Sequence, residues 1–368
     1  VVFDAATWDG TATKRLGSIR VLVWGLLVLV LSPASLAAEP GRYLKNSDSW
    51  FAGQEAREIA ASVLSFQSEL GGWPKNVSTT TGSYQGDRSA LRPTYDNGAT
   101  TDELRFLARI HGATGDEEYR RAFTRGLDYV LAGQYPNGGW PQFHPPGNQY
   151  HRHVTFNDDA MVRLLRFTRE VATDRLYAFV EDARRRDAAR AFRRGIDCIL
   201  RCQIRVDGRL TAWCAQHDEI DFHPRPGRSY ELATLSGCES VGITRLLMSL
   251  EHPTPEVVRA VEAAVAWFDD AKLSGIRVES VEDPRGPKGR NRVVVQDPTA
   301  PPLWARFYAI DTNQPVFADR DGIPRQRLDQ IGYERRNGYA WYGTWPRKLL
   351  EAEYPVWRER VASDSARP

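Results

Sequence analysis

Two short segments of the chain concentrate oxygen donors in matching positions. Thr94-Tyr95-Asp96-Asn97-Gly98-Ala99-Thr100 has a near-copy sixty-one residues later, Thr155-Phe156-Asn157-Asp158-Asp159-Ala160-Met161. Each follows a Gly-Gly-Trp-Pro sequence, at Gly71-Gly72-Trp73-Pro74 and Gly138-Gly139-Trp140-Pro141. This pattern predicts two equivalent corners of a repeated structure, with Asp96, Asn97, Asp158 and Asp159 converging on one cation. Hard oxygen donors of this kind suit calcium rather than zinc or copper. Asp and Asn also cap helices and stabilise turns, and it is their recurrence in matched loops that favours shared coordination.

Several arginines sit in aromatic or polar settings: Arg228 in Arg228-Ser229-Tyr230-Glu231-Leu232, Arg306 in Trp304-Ala305-Arg306-Phe307-Tyr308, Arg320 in Asp319-Arg320-Asp321-Gly322, and Arg335-Arg336. Arg320 between two aspartates reads first as an exposed ion pair, which contributes little. Guanidinium forks are also the natural partners of carboxylates along an anionic polymer. With Trp and Tyr faces nearby, they describe a groove for an acidic polysaccharide. His217, in Trp213-Cys214-Ala215-Gln216-His217-Asp218-Glu219, is expected to be a hydrogen-bonded structural residue rather than a catalytic one.

The elements that must position these groups follow a repeat. Gln67 to Trp73, Gln134 to Trp140 and, more faintly, Gln203 to Trp213 share one grammar at Gln-to-Gln intervals of 67 and 69. Such a period weighs first in reading a fold. Apolar residues at three- and four-residue spacing predict helices over 55–64, 116–131 and 187–202 before these motifs and over 101–110, 159–171 and 239–250 after them. Helical hairpins of this kind cannot bury their apolar faces alone, which predicts an α-dominated α/α toroid of the (α/α)3 type. Strands are expected only at 275–281 and 292–295, and 298–345 reads as long loops over one mouth of the toroid.

The chain has 368 residues, of which 42% are hydrophobic, enough for a full core. Residues 39–360 read as one catalytic domain, 361–368 as a tail, and 1–38 as an extension and secretory signal. That signal comprises Lys14, Arg15 and Arg20, an eleven-residue run from Val21 to Leu31, and a small-residue exit through Ala38. The run is too short to span a bilayer. A secreted protein without membrane attachment after cleavage is therefore expected. A net charge of +2 excludes a strongly basic nucleic-acid binder. Cys198, Cys202, Cys214 and Cys238 allow buried thiols or one disulfide, and a zinc site is disfavoured because no Cys-x-x-Cys pair occurs.

Taken together, Gly71-Gly72-Trp73-Pro74-Lys75-Asn76, the two acidic turns, Tyr135-Pro136-Asn137-Gly138-Gly139-Trp140-Pro141-Gln142, Arg228-Ser229-Tyr230-Glu231-Leu232 and Asp319-Arg320-Asp321-Gly322 resemble the pectate lyases of polysaccharide lyase family 10. The resemblance spans about residues 45 to 350. It implies an α/α toroid acting on polygalacturonate by calcium-dependent anti β-elimination. It further implies Ca²⁺ ligands at Asp96, Asn97 and Asp158, with Asp159 a close alternative, Arg320 as base, and carboxylate or sugar contacts from Arg228, Arg245 and Arg306. The family commonly carries Lys at the position of Arg245, and Arg there keeps the charge while changing its geometry. A monomer is expected. A glycoside hydrolase on the same toroid, or a non-catalytic binder of acidic glycans, are the alternatives. Alanine at Asp96 or Asp158 is expected to leave the fold intact.

Overall fold

The computed structural model describes residues 40–365. The expected signal and extension, 1–38, lie outside the described residues. Ten helices are described: α1 (Asp48–Phe51), α2 (Gln54–Ser65), α3 (Thr101–Thr114), α4 (Glu117–Ala132), α5 (Ala160–Thr173), α6 (Asp182–Cys202), α7 (Glu239–Met248), α8 (Pro255–Asp270), α9 (Tyr333–Gly338) and α10 (Tyr354–Ser365). The six helices read from sequence are α2 to α7. The pairs α3–α4, α5–α6 and α7–α8 pack as hairpins, and α3, α5 and α7 are buried round most of their circumference. This is an α/α toroid, with α4, α6 and α8 presenting only one apolar face to it.

The repeat has a physical purpose. Each repeated Gln donates through Nε2 across to the next outer helix: Gln67 to Ala122 O (2.8 Å), Gln134 to Ala191 O (2.8 Å) and Gln203 to Ala260 O (2.9 Å). Each repeated Trp donates its indole N–H to the end of the preceding helix, Trp73 to Val63 O, Trp140 to Val130 O and Trp213 to Ile199 O. All three indoles are fully buried, so each supplies a large apolar face while its one donor is satisfied. Glutamine and tryptophan thus lock one hairpin to the next.

Helix ends follow ordinary capping chemistry. Asp116 accepts from Glu118 N at 2.8 Å to start α4, and Gly115 ends α3 in the left-handed region. Helix α8, which the sequence reading did not single out, starts with Thr254 as cap and Pro255 in its first turn.

The expected strands form an antiparallel hairpin, Ile276–Glu282 with Arg290–Gln296, in which Val278 faces Val294. The aromatic stretch after Pro298 is mostly loop, tied by two-residue pairs such as Trp304–Ala305 with Tyr342–Gly343, and includes α9. It has its own small core of Tyr230, Phe307, Phe317, Leu328, Ile331 and Trp341. That core gives rigidity to the loops carrying Arg228, Arg306 and Arg320. All four cysteines are unpaired, three of them buried. No described helix is long and apolar enough to cross a membrane.

Candidate active site

The two acidic segments form single 3-10 turns, Asp96–Gly98 and Asn157–Asp159, which lie against each other at the starts of α3 and α5. Asn97 (φ 55°), Asp158 (φ 52°) and Asp159 (φ 61°) all occupy the left-handed region. Asn and Asp tolerate it best among residues with a Cβ, which explains why the matched turns carry them. Thr100, at φ 71°, is a strained exception. Its buried hydroxyl accepts from Trp73 N (3.0 Å) and donates to Thr94 O (2.8 Å), fixing the turn to the Gly-Gly-Trp-Pro loop.

Asp96 is buried rather than set on an exposed wall. Its Oδ2 accepts from Lys75 Nζ and, at 2.7 Å, from Gln142 Nε2. Lys75 and Gln142 follow the Trp-Pro of the first and second repeats, so equivalent positions converge on one carboxylate oxygen. Asp96 Oδ1, Asn157 Oδ1 and Gln142 Oε1 are buried with no hydrogen-bond donor. Three unpartnered hard oxygens beside two carboxylate turns are a donor set into which calcium fits.

Asn97, Asp158, Asp159, Arg245 and Arg306 line one cleft of about 460 Å³. Arg306, on the loop layer, reaches Asp158 Oδ1 at 3.3 Å and the buried carboxylate of Glu239 with the same Nη2. Burial opposes the Arg306 charge, but Glu239, Tyr339, Cys238 and Asp158 together outweigh it and hold the guanidinium well above its usual range. Arg245 Nε donates to Glu353 at 2.6 Å. Gly242 leaves room for the Asp159 carboxylate, since a Cβ there would stand 2.0 Å from Asp159 Oδ1 and push that side chain aside. A second cavity, about 520 Å³, is lined by Lys75 and Gln142, the two residues bonded to Asp96, and by Phe143, Tyr150 and His151.

Arg228 and Arg320 lie on the loop layer outside both cavity walls. Arg228 makes a fork with Glu231, 2.9 Å from Nε to Oε2. Arg228 and Arg306 flank Tyr339, at 5.9 and 4.8 Å from its ring centroid, and the Tyr339 hydroxyl donates to Glu231 at 2.8 Å. The partner of Arg320 is neither neighbouring aspartate side chain but Glu334, at 3.2 and 3.3 Å. Asp319 instead accepts from the backbone N–H groups of Arg320 and Gly332, and Asp321 pairs with Arg325. Hydrogen bonds from Arg335 and then Arg320 hold Glu334 down at about 2. The turn at Gly322 rests against Ser229 O, so the Arg320 loop abuts the Arg228 loop.

His217 is fully buried, receives Cys214 N–H on Nε2 (3.0 Å) and contacts Phe222 O through Nδ1 (2.8 Å). Burial lowers it to about 4, and both ring nitrogens are occupied by backbone, the structural role expected of it. Among the described residues, the group of His, Asp and Glu whose ligand atoms all lie within 4.8 Å of one another is His153, Asp218 and Glu219, not the carboxylates of the paired turns. Its carboxylates are already held by Arg225 and Arg152, which makes it a salt-bridge network. The sequence reading did not single out Lys75, Gln142, Glu239, Glu334 or Glu353. For the first two, the shared position after Trp-Pro was the available signal.

Residues 67–350 match the family described as pectic acid lyase. Comparison with curated proteins returns no match. Among solved structures, the family 10 polysaccharide lyase from Cellvibrio cellulosa is 33% identical, with a TM-score of 0.74, covering 87% of this chain and 97% of that one. An aspartate-to-alanine variant of that enzyme in complex with trigalacturonic acid matches at the same identity and TM-score. Toroid, arginine-rich groove and these matches together define a polysaccharide lyase. The chain belongs to the pectic acid lyases, the pectate lyases of polysaccharide lyase family 10.

Proposed function

We propose that the protein is a secreted pectate lyase that cleaves polygalacturonate by calcium-dependent anti β-elimination, with Arg320 as the base. The observation that carries this reading is the juxtaposition of the two acidic turns, with their unpartnered buried oxygens, and a cleft walled by arginines. A relative that binds trigalacturonic acid supports the substrate class.

Elimination removes the C5 proton of a galacturonate, and the resulting charge must spread into the adjacent carboxylate. Asp96, Asn97 and Asp158, with Asp159 in reserve, would hold a calcium ion, and the chemistry it would supply there is Lewis-acid withdrawal of that charge. Arg228, Arg245 and Arg306 orient substrate carboxylates. Each is itself braced by a glutamate, Glu231, Glu353 or Glu239, so its guanidinium plane is set before substrate arrives. Arg320 is two-thirds exposed and paired with Glu334 through two long contacts. An exposed pair is weak, leaving the side chain free to leave Glu334 and, once deprotonated to the neutral guanidine, to accept the proton. An arginine base needs the neutral guanidine form, so rates are expected to rise toward alkaline pH.

Incubation with polygalacturonate and calcium at alkaline pH tests the reading. Unsaturated products that absorb in the ultraviolet are expected. Reducing ends without that absorbance would instead indicate hydrolysis, which needs two free carboxylates flanking the bond, and binding without turnover would indicate a lectin-like role.

A further inference from the structure

The second repeat places arginines where the first keeps a closed ion pair. In the first repeat Arg105 is fully used, donating to Glu170 at 2.8 and 3.0 Å and to Asp102 at 3.3 Å. Sixty-one residues on, Arg105 becomes Arg166 and Asp102 becomes Arg163. The acidic partner has been replaced by a second cation. Arg163 and Arg166 stand three apart on α5 and line the same cleft as Asp158, Asp159 and Arg245. Neither makes a hydrogen bond or ion pair among the described residues, and Arg163 Nε is buried with no acceptor. A buried donor left unsatisfied is costly, and like charges side by side add to that cost. A purely structural pair would be matched as Arg105 is.

We infer that Arg163 and Arg166 form a further carboxylate subsite, holding a galacturonate unit beyond the one placed against the paired turns. The inference rests on the lyase reading for its substrate class. A planar fork with open donors, in a cleft also lined by Asn97, Asp158, Asp159, Glu239, Arg245 and Arg306, recognises a free carboxylate in preference to its methyl ester, which carries no charge to meet it. The subsite therefore makes this side of the groove selective for unesterified polymer.

The test uses Arg163→Gln and Arg166→Gln in the full chain, with mobility in gels containing polygalacturonate as a readout that needs no turnover. Wild-type protein should be retarded by the polymer, and each variant should lose affinity roughly tenfold or more, the usual scale of a hydrogen bond to a charged group. In gels of pectin with rising methyl esterification, the difference between wild type and variant should shrink toward nothing. Melting temperatures should stay close to wild type, since neither arginine makes a hydrogen bond or ion pair among the described residues and the charge lost beside Asp159 is offset by relief of the repulsion between the two cations. Unchanged affinity, an equal loss at every degree of esterification, or a fall in melting temperature like that of Arg105→Gln would overturn the subsite. Retarded protein that yields no unsaturated product would overturn the lyase reading and leave the subsite standing.

Discussion

A single nitrogen, Nη2 of Arg306, faces both the buried carboxylate of Glu239 at the start of α7 and Oδ1 of Asp158, 3.3 Å away, at the start of α5. This guanidinium therefore joins the loop layer to two inner helices and to the proposed calcium turn. Its Nε is buried without an acceptor.

Arg306→Ala strands Glu239 as a buried, unpaired carboxylate, so the fold should lose about 3–5 kcal/mol. Pairing Arg306→Met with Glu239→Gln should recover most of that stability while turnover stays lost. Denaturant melts alongside a polygalacturonate assay separate the two effects. A double variant as unstable as Arg306→Ala would show that Arg306 stabilises through other contacts.

The paired turns should couple metal and substrate. Protein ligands alone under-fill a calcium shell of six to eight oxygens, so free protein should bind calcium weakly and an oligogalacturonate should tighten it. By linkage, calcium then tightens the oligomer by the same factor. Asp158→Ala, at a part-exposed carboxylate, should abolish the coupling without harming the fold. Asp96→Ala differs from the expectation formed on sequence, because it leaves the Lys75 ammonium and the Gln142 amide unpaired in a buried site. It should cost about 1–3 kcal/mol for each group left unsatisfied, and Asp96→Asn is the gentler probe. Calorimetric titrations with and without oligomer decide the matter: coupling that survives both substitutions places the metal elsewhere.

Arg320→Ala should lower kcat by about 10²–10⁴, the span of general acid–base catalysis, while its melting temperature stays close to wild type because the Glu334 pair is exposed. Glu334→Gln frees Arg320 from its resting partner and should alter the pH dependence of kcat rather than substrate affinity. Product absorbance followed across the alkaline range reads both. Undiminished turnover in Arg320→Ala would assign the base to another group.

The toroid was legible because its cause is local and repeated: helical periodicity, Gly-Trp punctuation, and a Gln that recurs wherever one hairpin meets the next. Helix α8 carries the same periodicity and a Thr254-Pro255 start, but no Gly-Gly-Trp-Pro follows it to mark the repeat. The two acidic turns were legible for the same reason as the helices. Their anchors were not. Glu239 lies 67 residues from Arg306, and Glu353 lies 108 from Arg245. Only folding brings these partners together, and no spacing rule links them. Arg320 shows the limit in reverse, since its sequence neighbours Asp319 and Asp321 suggested an ion pair that the backbone turn directs elsewhere.

Glu103 makes the protein's stability depend on pH through a group outside the proposed chemistry. It lies in the first turn of α3, fully buried, with Thr79 Oγ1 donating to Oε1 at 2.9 Å and Oε2 unpartnered. Burial, reinforced by the neighbouring Asp102, raises its carboxyl from 4.5 to about 8. Between those two values the unfolded chain has released a proton that the folded chain retains, so stability falls as pH rises from 4.5 to about 8 and stays reduced above. His217, lowered from 6.5 to about 4, works in the opposite sense, losing stability as pH falls through that window. Comparison with Glu103→Gln cancels the histidine and keeps the oxygen that Thr79 donates to. The variant's advantage in melting temperature should grow between about pH 5 and about pH 8 and then level off. A difference that is constant across the range would mean that Glu103 is already ionised in the folded protein at mildly acidic pH.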